Sequence, residues 1–282
     1  MGSRVWGIQS FLQEFQPPPE PVYIIDKGIL CWGGTMVIAA KSGEGKSILG
    51  KHMGLCMGSG YPFLGFGVMA RQRVLYCNFE IQERQLWERL GLIAKARPEI
   101  IPKSDEWFQQ ISTLTPVKIG HDEEHRQGVN GGIGYYNGLV QSLGSTVIIL
   151  DTQFKIQTGS MSNEVDVRRF LDDIDWMRDQ NPGLAVVIIT HTNKNLFFQG
   201  RRIERGLDEV FGSSMLPNWA ETVVGVTRGE FGSSTMRMLK RREEREEIKP
   251  IEYVVDAEHF SVREPGSQLI VSALPPLAPK KG

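Results

Sequence analysis

Apolar runs of strand length alternate with segments of helical periodicity along most of the chain. Four runs are mostly apolar and lie at 35–39, 73–79, 146–151 and 185–190. Such continuous apolar strands are typical of a parallel sheet that helices cover on both faces. The pattern therefore predicts an α/β fold with a mainly parallel twisted sheet flanked by helices.

Helical periodicity is clearest in three segments. The first runs from residue 46 to about residue 56, directly after the first apolar run. The second carries Leu86, Leu90 and Ile93, and the third carries an apolar stripe over residues 163–179. Because apolar side chains at this spacing share one face of a helix, each segment can cover a face of the sheet.

The part of the chain after residue 212 has a different pattern. Three further β segments are predicted at about 221–227, 234–240 and 250–255, and a charged run follows the second. We expect these segments to add antiparallel strands at one edge of the sheet. Residues 114–133 lack periodicity and contain four glycines, so we predict a loop there.

The chain is predicted to fold as one main domain. Residues 1–34 are punctuated by proline and lead into the domain, with a contact to another subunit as one expected role. Residues 35–265 form the domain itself, and the proline-containing tail at 266–282 is expected to be disordered.

The composition is that of an ordinary globular chain and excludes several classes of protein. Hydrophobic residues make up 40% and charged residues 23%. The formal net charge is -1, so only a local basic patch can bind nucleic acid. No apolar run reaches the roughly 20 residues of a membrane span, and no secretory signal opens the chain. Cys31, Cys56 and Cys77 are too few for a disulfide framework, and we expect buried thiols in a cytoplasmic protein.

The segment after the first apolar run reads A-K-S-G-E-G-K-S and begins at Ala40. A glycine-rich loop between a buried strand and a helix curls its backbone N–H groups around phosphate, and the helix N-terminus adds positive charge. Its lysine contacts the β- and γ-phosphates, and the following serine binds Mg²⁺. A merely flexible turn would not require G-K-S at this position. The residues expected to bind ATP are Ala40, Lys41, Ser42, Gly43, Glu44, Gly45, Lys46, Ser47 and Ile48.

Two acidic residues follow predicted strands. Asp151 ends the third apolar run, where a carboxylate can hold Mg²⁺ together with Ser47. Glu80 ends the second run, where it can orient or deprotonate the attacking water. The alternative for Glu80 is an acid that only stabilises the N-terminus of the next helix. Ligands bind at the carboxyl ends of parallel strands, so we expect both carboxylates at the nucleotide.

A histidine and a basic, aromatic segment follow the fourth apolar run. His191 stands where a polar side chain can contact the γ-phosphate, although a lone histidine is also often structural. Residues 194–211 are predicted to form an irregular loop whose cations bind phosphates and whose rings stack on bases. Acidic residues are interleaved, so a solvated surface loop is the alternative. The residues expected to bind nucleic acid are Lys194, Phe197, Phe198, Arg201, Arg202 and Arg205.

Two cations stand at the end of a late β segment, ahead of an acidic run. They are Lys240 and Arg242. In a ring-shaped ATPase such cations can reach the site of the neighbouring subunit and neutralise charge in the transition state. A solvated hairpin or helix face with ion pairs is the alternative interpretation.

Together these motifs resemble the RecA-like ATPases, in particular the plasmid RepA-type hexameric replicative helicases. The resemblance covers roughly residues 17–256 and rests on the order of the phosphate loop, Glu80, Asp151 and His191. Further matching features are the proline-rich lead-in, Asn78-Phe79-Glu80 with Arg89 downstream, Asp151-Thr152 followed by Asn163-Glu164, His191-Thr192-Asn193-Lys194, and Gly212-Ser213-Ser214.

The resemblance implies a RecA-like ATPase domain over residues 35–265, assembled as a homo-oligomer, a hexameric ring with ATP sites between subunits. It implies that Mg²⁺ is held by Ser47 and Asp151, and that loops near 153–162 and 194–211 follow single-stranded DNA. A primase or loader is a further implied partner. The catalytic residues so implied are Glu80, Lys46, His191, Lys240 and Arg242.

Three features depart from the family pattern. Ala40 replaces the first glycine of the loop, Thr190-His191 stands where family members often have two histidines, and the glycine-rich stretch at 120–133 has no assigned role. The leading hypothesis is an ATP-dependent DNA helicase or translocase of the RepA type. The alternatives are a RecA-like recombination or repair ATPase that forms filaments on DNA, and a regulatory ATPase without unwinding activity.

Overall fold

The structure is a computed structural model, and it describes residues 7–9, 23–120, 132–192, 197–198, 201–202, 207, 210, 213–229, 233–242, 246–256 and 261–263. In chain order its elements are β1 (Tyr23–Ile25), β2 (Leu30–Cys31), β3 (Thr35–Ala40), α1 (Lys46–Ser59), β4 (Val74–Asn78), α2 (Glu83–Ala96), β5 (Phe108–Ser112), α3 (Gly132–Leu143), β6 (Val147–Asp151), α4 (Gln153–Ile156), α5 (Glu164–Gln180), β7 (Ala185–His191), β8 (Phe197–Phe198), β9 (Arg201–Arg202), α6 (Met215–Trp219), β10 (Thr222–Arg228), β11 (Ser233–Arg241), β12 (Ile251–Asp256) and β13 (Ser261–Arg263). None of the described helices is long and apolar enough to cross a membrane.

One large sheet organises the described part of the chain. Its strands lie in the order β13-β12-β11-β10-β3-β7-β6-β4-β5. The strands from β10 to β5 pair in parallel, whereas β11, β12 and β13 extend one edge with antiparallel pairs. The predicted fold class, a mainly parallel sheet flanked by helices with added antiparallel edge strands, is confirmed.

Helices cover both faces of this sheet, and each face has its own apolar core. On one face α1 contributes Leu49, and on the other α3 and α5 contribute Tyr136 and Phe170. Neighbouring residues of β6 serve opposite cores, since Ile149 packs on the first face and Ile148 on the second. This two-sided burial explains why the central strands are apolar at nearly every position.

Helix α1 lies unusually close to the sheet because three glycines face it. They are Gly50, Gly54 and Gly58, spaced one turn apart. A Cβ atom at Gly50 would lie 2.5 Å from Cδ1 of Ile189, and one at Gly58 would lie 2.6 Å from the carbonyl oxygen of Trp107. The glycines therefore fix how deeply α1, which begins at the phosphate loop, sits on the sheet.

The structure differs from the sequence-based expectations in two regions. Helix α3 begins at Gly132, so the predicted loop over 114–133 was wrong for its last two residues; residues 121–131 lie outside the described part. The helix is stabilised by packing of Ile133, Tyr136 and Val140, which overcomes the low helix propensity of its glycines. Strand β5, at the sheet edge and only half-buried, was not predicted either.

Candidate nucleotide site

The phosphate loop connects β3 to α1 with the backbone conformation that its glycines permit. Gly43 and Gly45 have φ values of 81° and 88°. A Cβ at Gly43 would meet no atom within 4 Å, so glycine is needed there for conformation rather than for space. Gly45 precedes α1, and no side chain caps that helix. The first N–H groups of α1 thus keep their capacity to bind phosphate oxygens.

The side chain after the loop lysine contacts the acidic end of β6. Ser47 Oγ donates a hydrogen bond to Oδ1 of Asp151 at 2.9 Å, and the hydroxyl of Tyr76 donates to Oδ2 at 2.6 Å. Burial raises the pKa of Asp151, while these two hydrogen bonds oppose the rise. A hydroxyl beside a carboxylate is an oxygen donor set that suits Mg²⁺. Lys46 itself is buried.

Three neighbouring strand ends bring the other candidate catalytic groups together. Glu80 follows β4, and its Oε1 accepts a hydrogen bond from Thr152 Oγ1 at 3.3 Å. Nε2 of His191, at the end of β7, lies 3.9 Å from the same oxygen. Burial and then the charge of Lys46 lower the pKa of His191, and Glu80 partly offsets them. The imidazole is therefore neutral at pH 7 and can donate one N–H.

Two residues at this site were missed in the sequence analysis. Tyr76 is fully buried, and its hydroxyl contacts both Asp151 and the backbone carbonyl of Ser47. Lys51 lies four residues after Ser47, hence on the same face of α1, with its ammonium 4.9 Å from the ring centre of Tyr76. Burial lowers the pKa of Lys51 to about 8, although Asp151 attracts its charge. The spacing of Lys51 from Ser47 was the available signal; no pattern marked Tyr76.

Lys240 and Arg242 do not reach the phosphate loop of their own chain. Lys240 pairs with Val223, which pairs with Val37 three residues before Ala40. Its ammonium donates to the carbonyl oxygens of Pro217 and Asn218 at 3.0 and 2.8 Å. Arg242 lies 3.8 Å from Glu221, which directly precedes β10. Both cations thus lie toward the amino-terminal edge of the sheet, opposite the loop.

Only part of the predicted nucleic-acid segment can be described. Lys194 and Arg205 lie outside the described residues. Phe197 and Phe198 form β8 and pair with Arg202 and Arg201 of β9 in an antiparallel ladder. The prediction of an irregular segment was therefore wrong for these four residues, which alternate the expected residue types across a short hairpin.

Comparison with known proteins places this geometry in a family. A family profile described as an AAA domain, AAA_25, matches residues 8–196, about two thirds of the chain. The chain belongs to the AAA_25 family of AAA domains. The matched range contains the phosphate loop, Glu80, Asp151 and His191. No curated protein sequence matches.

Solved structures share the fold of this AAA domain at low sequence identity. A KaiC-like protein from the hyperthermophilic archaeon Pyrococcus horikoshii is 12% identical, with a TM-score of 0.52 over 85% of this chain and 92% of its own. The RadB recombinase is 14% identical, with a TM-score of 0.52 over 83% and 92%. A third structure, titled as an ATPase domain, is 11% identical, with a TM-score of 0.56 over 82% and 84%. The chain is therefore a RecA-like P-loop ATPase in fold. The narrower resemblance to RepA-type helicases stays a prediction.

Proposed function

We propose that this chain is an ATP-dependent translocase of the RepA-type replicative helicase class, which hydrolyses ATP between subunits of a homo-oligomeric ring and moves on single-stranded DNA. The observation that carries the ATPase part is the 2.9 Å contact between Ser47 and Asp151 directly beside the loop lysine. It joins a phosphate-binding element to a buried carboxylate, as metal-assisted phosphoryl transfer requires.

Hydrolysis is in-line attack of water on the γ-phosphorus, with breakage of the bond to the β–γ bridging oxygen. Glu80 orients the water and accepts its proton, and Lys46 neutralises charge on the phosphates. Ser47 and Asp151 hold Mg²⁺, which when bound neutralises charge on the phosphate oxygens. His191 donates its N–H toward the γ-phosphate from a position beside Glu80.

Binding of single-stranded nucleic acid is supported by side chains on the segment after β6. Phe154 is 60% exposed on α4, at the same sheet edge as the phosphate loop. Lys155 follows it, and Lys118 reaches the backbone carbonyl of Lys155. An exposed ring beside two cations suits a base and its phosphates. This segment and the predicted one at 194–205 would share the strand.

Assembly into a ring is supported by the position of the two late cations. Lys240 and Arg242 lie toward the sheet edge opposite their own phosphate loop. In a head-to-tail ring, one edge of each subunit meets the other edge of its neighbour. These cations would then act on the ATP of the next subunit, where such a group contributes roughly 10³-fold or more to turnover.

The first experiment measures ATP turnover with and without single-stranded DNA. We expect DNA to stimulate turnover, and Lys46→Ala to abolish it. Phe154→Ala should reduce the stimulation, whereas the control Met69→Ala, at an equally exposed apolar residue (61%), should not. Turnover that is indifferent to nucleic acid would refute the translocase proposal and leave a regulatory ATPase. Closed rings by negative-stain microscopy support the helicase class, and open filaments on DNA would support a recombination ATPase instead.

A further inference from the structure

A chain of buried hydrogen bonds runs from the end of β7 to the turn before α5. The hydroxyl of Thr190 donates to Oε1 of Gln153 at 2.8 Å, and Nε2 of Gln153 donates to Oε1 of Gln157 at 2.7 Å. Nε2 of Gln157 then donates to the backbone carbonyl of Ser160 at 3.2 Å. Thr190, Gln153 and Gln157 are all buried. We call these four residues the glutamine relay.

The direction of every hydrogen bond in the glutamine relay follows from its last member. A backbone carbonyl can only accept, so Gln157 must present its amide N–H₂ to Ser160 and its oxygen to Gln153. Gln153 must then present its own oxygen to Thr190, whose hydroxyl donates. Reversal of any one amide would place two donors or two acceptors face to face. The relay therefore has a single arrangement.

The glutamine relay connects two parts of the proposed machinery. Thr190 directly precedes His191, which lies 3.9 Å from Glu80. Gln153 is the first residue of α4, and its neighbour Phe154 points outward while Gln153 itself is buried. A displacement of the β7 end would break the bond to Gln153 or carry α4 with it, since the buried amides have no water to replace a lost partner.

We propose that Thr190 and Gln153 are positioning residues that transmit the nucleotide state at the end of β7 to the segment 153–160. The reason is chemical: two long amide side chains occupy a site that apolar residues could fill without the need for matched partners. Bland satisfaction of buried polar groups would require the same bonds but would not link the two segments' responses. The proposal rests on the proposed function only for its consequence at DNA, not for the link itself.

The test measures amide hydrogen exchange in the full-length protein with and without Mg²⁺ and a non-hydrolysable ATP analogue. We expect nucleotide to slow exchange in a peptide covering the phosphate loop and to change exchange in a peptide covering 153–160. Thr190→Val, which replaces only the hydroxyl, should keep the first response and lose the second. Thr190→Ser should restore it.

A matched control exists at the opposite edge of the sheet. Thr146 also donates its hydroxyl to a glutamine Oε1, that of Gln72, at 2.9 Å. Thr146→Val should therefore leave the response of 153–160 intact, although it removes the same kind of hydrogen bond. Gln153→Met, which retains side-chain length, provides a second disruption of the glutamine relay if Thr190→Val is poorly folded by thermal unfolding.

The outcomes separate this inference from the proposed function. An unchanged response of 153–160 in both Thr190→Val and Gln153→Met would overturn the relay, as would absence of that response in the unmodified protein. Absence of protection at the phosphate loop would instead overturn nucleotide binding, on which the proposed function depends. Loss of DNA-stimulated turnover in Thr190→Val, with basal turnover kept, would extend the relay to DNA.

Discussion

Replacement of Lys51 by methionine should stabilise the protein at neutral pH and change how its stability depends on pH. Lys51 is only 5% exposed, and burial lowers its pKa from 10.5 to about 8 even though Asp151 attracts the charge. Methionine retains an unbranched apolar chain of similar length without a charge to bury. The variant therefore isolates the cost of the buried ammonium.

The magnitude follows from the two pKa values. At pH 7 the lysine is charged in both states, and the folded state holds the proton less tightly, which costs about 3 kcal/mol of unfolding free energy. Because the unfolded state binds more protons between pH 8 and 10.5, the unfolding free energy of the natural chain rises with pH in that window. By pH 10 the remaining cost falls to about 1 kcal/mol.

The assay is urea unfolding of both proteins at pH 7 and at pH 10. We expect Lys51→Met to be more stable by up to about 3 kcal/mol at pH 7, and the difference to shrink by about 2 kcal/mol at pH 10. Lys95→Met, at an exposed position of α2, should show no such shrinkage. A difference that is the same at both pH values would refute the reasoning, because the charge would then contribute nothing.

Three further predictions concern the site, the assembly and a helix end. Tyr76→Phe should raise the Mg²⁺ concentration needed for half-maximal turnover, because Oδ2 of Asp151 loses its 2.6 Å donor; an unchanged requirement would show that Ser47 alone holds the carboxylate. Lys240→Ala should lose turnover but recover part of it when co-assembled with Lys46→Ala subunits, and recovery would fail if Lys240 acted within its own subunit. Asn163→Ala should lower the unfolding free energy by about 1 kcal/mol, because its side chain caps α5 by accepting from two backbone N–H groups; denaturant unfolding that matches the natural chain would contradict this.

Most of the sheet could be predicted because its strands are buried on both faces. The four apolar runs became β3, β4, β6 and β7, and the three late segments became β10, β11 and β12. Their hydrophobicity is continuous, so no tertiary information was needed. Strand β5 escaped because an edge strand buries only part of its surface, and α3 escaped because its glycines disguise a helix that packing stabilises.

The candidate site could be predicted wherever a residue ends a strand. Asp151, Glu80 and His191 lie together because parallel strands end at one edge of the sheet; their catalytic roles stay predictions. Tyr76 and Lys51 could not be found in this way. Their importance depends on what α1 and β4 bury between them, and burial of that kind is a property of packing rather than of spacing.

The glycine face of α1 has a consequence for how this protein can vary. Ser47 stands on the first turn of α1 and Asp151 on the sheet, so their separation depends on how deeply the whole helix is seated. Gly58 lies about 16 Å further along the same helix axis, where a Cβ would collide with a backbone carbonyl. A substitution there would act as a lever, which lifts one end of the helix and moves the two proposed magnesium ligands apart. Metal dependence could thus drift through residues that touch neither metal nor nucleotide.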